Sequence, residues 1–167
     1  MRLFVAVWPP PEVVAALAGL ERPTLEGVRW TTQEQWHVTL RFLGSLESAD
    51  GAMAALATLA SARVAEATID GPPVRLGRGV LALPVDGLSD LAALVADAFG
   101  GIGRPPEPSS FHGHLTLARG RAVGTLSQSR SVQRVSFRVP EVSLVESHLG
   151  RGPARYETIA SVELGAS

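Results

Sequence analysis

His37-Val38-Thr39-Leu40-Arg41-Phe42-Leu43-Gly44 decides the reading of this chain, because its opening pattern, His-x-Thr-Leu, returns as His114-Leu115-Thr116-Leu117. The chain has 4 His, at positions 37, 112, 114 and 148, and two of them open the repeat. Counted from bulk composition, a given His would be followed by this Thr-Leu pair about 0.7% of the time. Two such words are therefore not accidental. Both read as strands, in which side chains alternate between faces. His37 and Thr39 then share one face while Val38 and Leu40 take the other, and His114 and Thr116 stand likewise over Leu115 and Leu117. Each copy is an apolar stripe backing a His-hydroxyl pair. Each also follows a helix-containing segment, which suggests two similar lobes with the repeated strands facing across a cleft.

The segments around the repeat support that picture. Leu3 to Trp8 reads as a buried strand stopped by Pro9-Pro10-Pro11. The run is too short and too quickly interrupted for a signal peptide, so a cytoplasmic protein is expected. Pro11 to Leu20 reads as a helix with proline at its start, where a missing N–H costs little. Val28 to Thr31 reads as a short strand and Trp36 to Phe42 as the first motif strand. Ser48 to Ala65, rich in Ala and Leu, reads as a second helix. Val74 to Val85 reads as a hairpin around Gly77 and Gly79, and Leu88 to Phe99 as a third helix. Residues 100–110 form a loop-like break. His114 to Ala118, Val135 to Val139, Val142 to Leu149 and Arg155 to Leu164 complete the strands. Strands and helices recur without the alternation of a parallel doubly wound sheet, so the class is α+β. The 167 residues suit one compact bilobal domain spanning 1–167.

Composition removes whole classes of chemistry. All 15 basic residues are Arg, and there is no Cys. Schiff bases, lysyl-adenylates, P-loop lysines, thiol nucleophiles and thiolate metal sites are excluded. His, carboxylate, hydroxyl and Arg remain. Residues 1–100 carry 7 Arg against 11 acids and residues 101–167 carry 8 Arg against 5, so the second half is modestly basic. A net charge of -1 does not suit a dedicated duplex-binding protein.

Two imidazoles and two hydroxyls suit proton transfer at a phosphate ester. A neutral His takes a proton from the attacking group and a protonated one gives a proton to the leaving oxygen. Imidazole holds both states near neutrality, with a reference pKa of about 6.5. Thr hydroxyls can donate to the non-bridging oxygens, where charge gathers.

With these residues in place, the chain resembles the 2H phosphoesterase superfamily, and within it the bacterial and archaeal RNA 2′,3′-cyclic phosphodiesterases, historically 2′-5′ RNA ligases. The resemblance is carried by Met1 to Val7, Val28-Arg29-Trp30, His37 to Gly44, Phe111 to Arg119 and Leu144 to Tyr156. It departs at Gly113, where the family usually has Pro, and this should loosen the approach to the strand. The resemblance implies a bilobal α+β fold of mainly antiparallel sheet, with pseudo-two-fold symmetry, outer helices and a central cleft. It implies hydrolysis of RNA 2′,3′-cyclic phosphate ends to 2′-phosphates with no metal and no cofactor. His37 and His114 would be the acid/base pair, and Thr39 and Thr116 would hold the phosphate. His114 is favoured to activate water and His37 to protonate O3′. The implied partner is an RNA with a cyclic phosphate end or a small cyclic nucleotide, with no membrane, and a monomer is expected.

Supporting positions follow. Arg41 shares strand parity with His37 and Thr39 and is expected to reach substrate phosphate. Arg119 has the opposite parity to His114 unless the strand bulges, but it matches the family motif. Arg130 and Arg151 are weaker candidates for RNA contact, and Phe42 and Phe111 are candidates for stacking on a base. Ser147 and Tyr156 read as structural and His148 as a surface residue. His112 with His114 is the arrangement nearest to a metal site, but nothing nearby completes it. Three other readings compete, one of them another ester hydrolysis of the 2H type on a small cyclic nucleotide. ATP-independent 2′-5′ joining would reverse the hydrolysis, and a non-catalytic RNA-end binding module would not need a paired acid and base.

Overall fold

The computed structural model describes residues 1–108, 110–126 and 132–166. The chain begins with β1 (Arg2–Val7), whose residues after Arg2 are all buried. Its apolar run is continuous because both faces are covered. Leu3, Val5 and Val7 enter the main core, while Phe4 and Ala6 join a smaller cluster on the other face. α1 (Pro11–Ala18) follows with Pro at its first turn and Val13 and Leu17 buried. Then come β2 (Arg29–Trp30), β3 (Val38–Ser45) and α2 (Asp50–Ala57), the last continued by a 3-10 turn at Thr58–Ser61. Next are β4 (Ala65–Gly71), β5 (Val74–Leu76), β6 (Val80–Asp86) and α3 (Ser89–Ala98). β7 (His114–Arg119), β8 (Val132–Val139), β9 (Glu141–His148) and β10 (Arg155–Glu163) complete the chain.

These strands form one 10-stranded sheet in the order β10-β9-β1-β3-β7-β6-β4-β8, with β2 beside β7 and β5 beside β6. The pairings are antiparallel. The two expected lobes are thus two four-strand halves that meet where β3 touches β7. A strand, a helix and a motif strand recur in each half, as β1, α1 and β3 and as β6, α3 and β7. All three helices feed the main core, through Val13 and Leu17, Ala52, Ala55 and Leu56, and Leu91, Ala92 and Val95. They therefore cover one face of the sheet and leave the other as a cleft. Among the described residues, no helix is long and apolar enough to cross a membrane.

One expected element is corrected. The helix read over Ser48 to Ala65 ends at Ala57, and residues 65–71 are β4. Ala67 and Ile69 are fully buried between β6 and β8, so sheet pairing overrides the helical preference of an Ala-rich stretch.

Candidate active site

The two motif strands meet at a single register, Val38 opposite Leu115. In an antiparallel ladder this sets His37 beside Thr116 and Thr39 beside His114. The doubled motif is thereby brought to one place, astride the centre of the sheet.

The same irregularity follows each Thr. Along β1, Ala6 pairs with Thr39 and Val5 with Arg41, so Leu40 is an extra residue. Along β6, Ala82 pairs with Thr116 and Leu81 with Ala118, so Leu117 is extra. Each bulge inverts the alternation beyond it. Arg41 is consequently turned to the helix side and Phe42 to the cleft, whereas Ala118 is turned inward and Arg119 to the cleft.

This corrects the expectation for Arg41. Its side chain is buried, at 6% exposure, and donates to the carbonyls of Ala96, Ile102 and Arg104 at 3.0–3.2 Å. It caps the C-terminus of α3 and pins the following loop, a place where a guanidinium satisfies helix-end carbonyls. Arg119 lies where the bulge condition puts it, and its charge is felt at His37.

The imidazoles are held alike. The Nδ1 of His37 is 2.7 Å from the carbonyl of Gln35, and that of His114 is 3.1 Å from the carbonyl of His112. A carbonyl only accepts, so Nδ1 carries the proton in each ring and Nε2 is left for the cleft. Nε2 of His37 is 3.1 Å from the Thr39 hydroxyl. Three rings enclose His37, with centroid distances of 5.0 Å to Phe4, 5.7 Å to Trp8 and 4.9 Å to Tyr156. Burial lowers the pKa of His37 to about 4, with Arg119 and His114 adding positive field and the Gln35 carbonyl opposing them.

Phe42 stands on the cleft side in the Phe4 cluster, with Arg2 4.5 Å and Arg104 5.9 Å from its ring centroid. Phe111 is partly buried and packs against the main core. Arg151 is exposed in the β9–β10 turn, whose far side is tied to the His37 segment by Gln35 Nε2 donating to Ala154 O at 2.8 Å. Arg130 lies outside the described residues. Gly113 is held firmly, against expectation. Its carbonyl accepts from Val85 N at 2.8 Å, and a Cβ there would sit 2.4 Å from Val85 O.

Sequence reading missed the rings around His37. From sequence Tyr156 reads as structural and Trp8 as the end of a buried strand. The period-2 series Phe4, Ala6, Trp8 on one strand was the signal available. His148 ends β9 beside Glu157, at 3.0 Å, and Glu146, at 3.6 Å. These three could hold a metal ion. Alternation places them on the face of β9 and β10 opposite Tyr156, away from the cleft.

Comparisons with known proteins bear on the family and the fold. The family of LigT like phosphoesterases matches residues 7–72. No curated protein matches the chain. Among solved structures, TT0787 of Thermus thermophilus is similar at 26% identity, covering 99% of both chains, with a TM-score of 0.79. E. coli LigT complexed with 3′-AMP is similar at 28% identity, covering 98% of this chain and 97% of its own, with a TM-score of 0.71. The MHV ns2 PDE domain shares the fold at 15% identity, covering 95% of this chain and 99% of its own, with a TM-score of 0.56. The LigT like phosphoesterase model over the first motif and the solved structures at 26–28% identity over nearly the whole chain support the 2H phosphoesterase superfamily that the doubled His-x-Thr motif suggests.

Proposed function

We propose that the chain hydrolyses RNA 2′,3′-cyclic phosphate ends to 2′-phosphates, with His37 and His114 as the acid/base pair and no metal in the chemistry. The observation that carries this reading is the matched orientation of the two rings, each pinned at Nδ1 so that Nε2 is turned to the cleft, where that of His37 meets the Thr39 hydroxyl. His114 takes a proton from water as its oxygen bonds to phosphorus opposite O3′. The P–O3′ bond breaks, and His37 gives its proton to O3′. The product has a 2′-phosphate and a 3′-hydroxyl, and exchange with solvent returns the rings to their starting forms. Thr39 and Thr116 donate to the non-bridging oxygens, and Arg119 offsets the charge that gathers there. Phe42, between Arg2 and Arg104, offers a stacking surface for a nucleotide beyond the cyclic phosphate.

The role given to His37 requires it to be protonated, while burial holds it neutral in this structure. A phosphate anion beside the ring supplies the missing counter-charge, since an opposite charge within hydrogen-bond reach favours the ionised form. The likeness to a LigT that binds 3′-AMP supports a nucleotide-like substrate. The test is incubation with an RNA ending in 2′,3′-cyclic phosphate, in excess EDTA, with products resolved. A 2′-phosphate product is expected. A 3′-phosphate, a ligated product or loss of activity with EDTA would each overturn part of the reading.

A further inference from the structure

The β7 bulge leaves the backbone carbonyls of Thr116 and Leu117 at the point where the strand changes partners. Val38 of β3 pairs on one side of this gap, and Trp30 of β2 pairs with Ala118 on the other. Thr31 fills the gap. Its N–H donates to Leu117 O at 2.9 Å, and its hydroxyl lies 2.9 Å from both Thr116 O and Leu117 O. A hydroxyl has one proton, so the two carbonyls share it. The same oxygen accepts from Trp36 Nε1 at 3.0 Å. Trp36 is buried in the main core and immediately precedes His37.

The segment between them is equally fixed. Thr32 N donates to Gln35 Oε1 at 3.0 Å, Gln35 Nε2 donates to Ala154 O, and the Gln35 carbonyl holds the His37 ring. Residues 31–37 therefore grip the second motif at one end and present the first motif's His at the other.

We infer that Thr31 is a positioning residue: its hydroxyl, oriented by the Trp36 indole, clamps the β7 bulge and so keeps Arg119 on the cleft face that His37 also occupies. The inference rests on the acid/base reading of the two motifs and adds what sets one half-site against the other. Without the bulge, β7 would alternate regularly and Arg119 would turn to the helix side. Valine at position 31 preserves shape. It leaves the bulge with one N–H for two carbonyls and strips the buried indole of its acceptor.

The experiment is an NMR titration of the His37 ring, which needs no substrate, in wild type, Thr31→Val, Thr31→Ser and Arg119→Gln. The groups facing this ring are Arg119, His114, Thr39, the Gln35 carbonyl and the rings of Phe4, Trp8 and Tyr156. Thr31→Val should raise the titration midpoint toward that of Arg119→Gln, and Thr31→Ser should restore it. In the hydrolysis assay Thr31→Val should lower kcat/KM by roughly 10²-fold or less, as expected for a displaced catalytic group. An unchanged His37 midpoint in Thr31→Val, with only the melting temperature reduced, would overturn the inference. If Thr31→Val does not fold, Trp36→Phe removes the orienting donor, together with some core volume, and is read by the same two outcomes. A chain that titrates as expected but leaves cyclic phosphates intact would count against the proposed function and not against this positioning role.

Discussion

His37 and His114 occupy equivalent places in two halves built to one plan, yet their surroundings differ. His37 is enclosed by Phe4, Trp8 and Tyr156, and its Nε2 already touches Thr39. The hydrogen bond that holds His114 is at the exposed surface, and the Thr116 hydroxyl makes no bond to another described residue. The positions after the bulges differ too. The first half has Arg41 pointing back into the helices and Phe42 in the cleft, while the second has Ala118 pointing back and Arg119 in the cleft. A duplicated backbone has thus been given one dry, aromatic side and one open, cationic side. Two like groups in different surroundings are what acid/base chemistry needs from a pair.

Replacing either ring should have the largest effect. His37→Ala and His114→Ala are each expected to slow hydrolysis of a cyclic phosphate by about 10²–10⁴-fold, with far-UV spectra unchanged. Activity retained in one of them would show that the halves are not equivalent partners.

The burial of His37 also makes a stability prediction with a definite sign. Its pKa is about 4 in the folded chain against 6.5 for an exposed ring. Between those values the unfolded chain binds more protons, so stability present above pH 6.5 is lost as pH falls toward 4. The loss due to this group should reach about 3 kcal/mol. It is read as the difference between wild type and His37→Asn in urea unfolding at about pH 7 and about pH 4, on either side of the window set by the two pKa values. No difference in pH dependence would mean that the aromatic enclosure does not hold the ring neutral.

The two arginines offer a sharper contrast. Arg119→Gln should lower kcat/KM by about 10²-fold, the scale of a lost oxyanion donor, and leave the melting temperature alone. Arg41→Gln should do the reverse, destabilising the fold by about 1–3 kcal/mol through its orphaned carbonyls with little effect on rate. Exchanged outcomes would put the β3 and β7 bulges in the wrong places. Smallest of all, inorganic phosphate should raise the His37 midpoint by about one unit, and no rise would transfer the acid's role away from His37.

Much of the fold was legible because the strongest signals are local. The His-x-Thr-Leu repeat and the apolar run at Leu3 to Trp8 can be read from neighbouring residues alone. β4 was not legible, since Ala65 to Gly71 becomes a strand only by pairing with β6 and β8. The motif His and Thr positions could be named from sequence, but the arginines could not be sorted by parity. One extra residue in β3 and one in β7 exchange the roles that simple alternation assigns to Arg41 and Arg119. Nothing in the letters Thr-Leu-Arg or Thr-Leu-Ala announces a bulge. The partner strands impose it, and the Thr31 hydroxyl that supports the second bulge comes from 85 residues earlier in the chain.

The central claim is that the two halves act on one phosphate as a unit. It is tested most directly by comparing His37→Ala, His114→Ala and the double variant in single-turnover hydrolysis of an RNA 2′,3′-cyclic phosphate. Groups that work as a unit lose their effect together, so the double variant should be no slower than the slower single one. Losses that multiply in the double variant would contradict the account and mean that each histidine contributes separately.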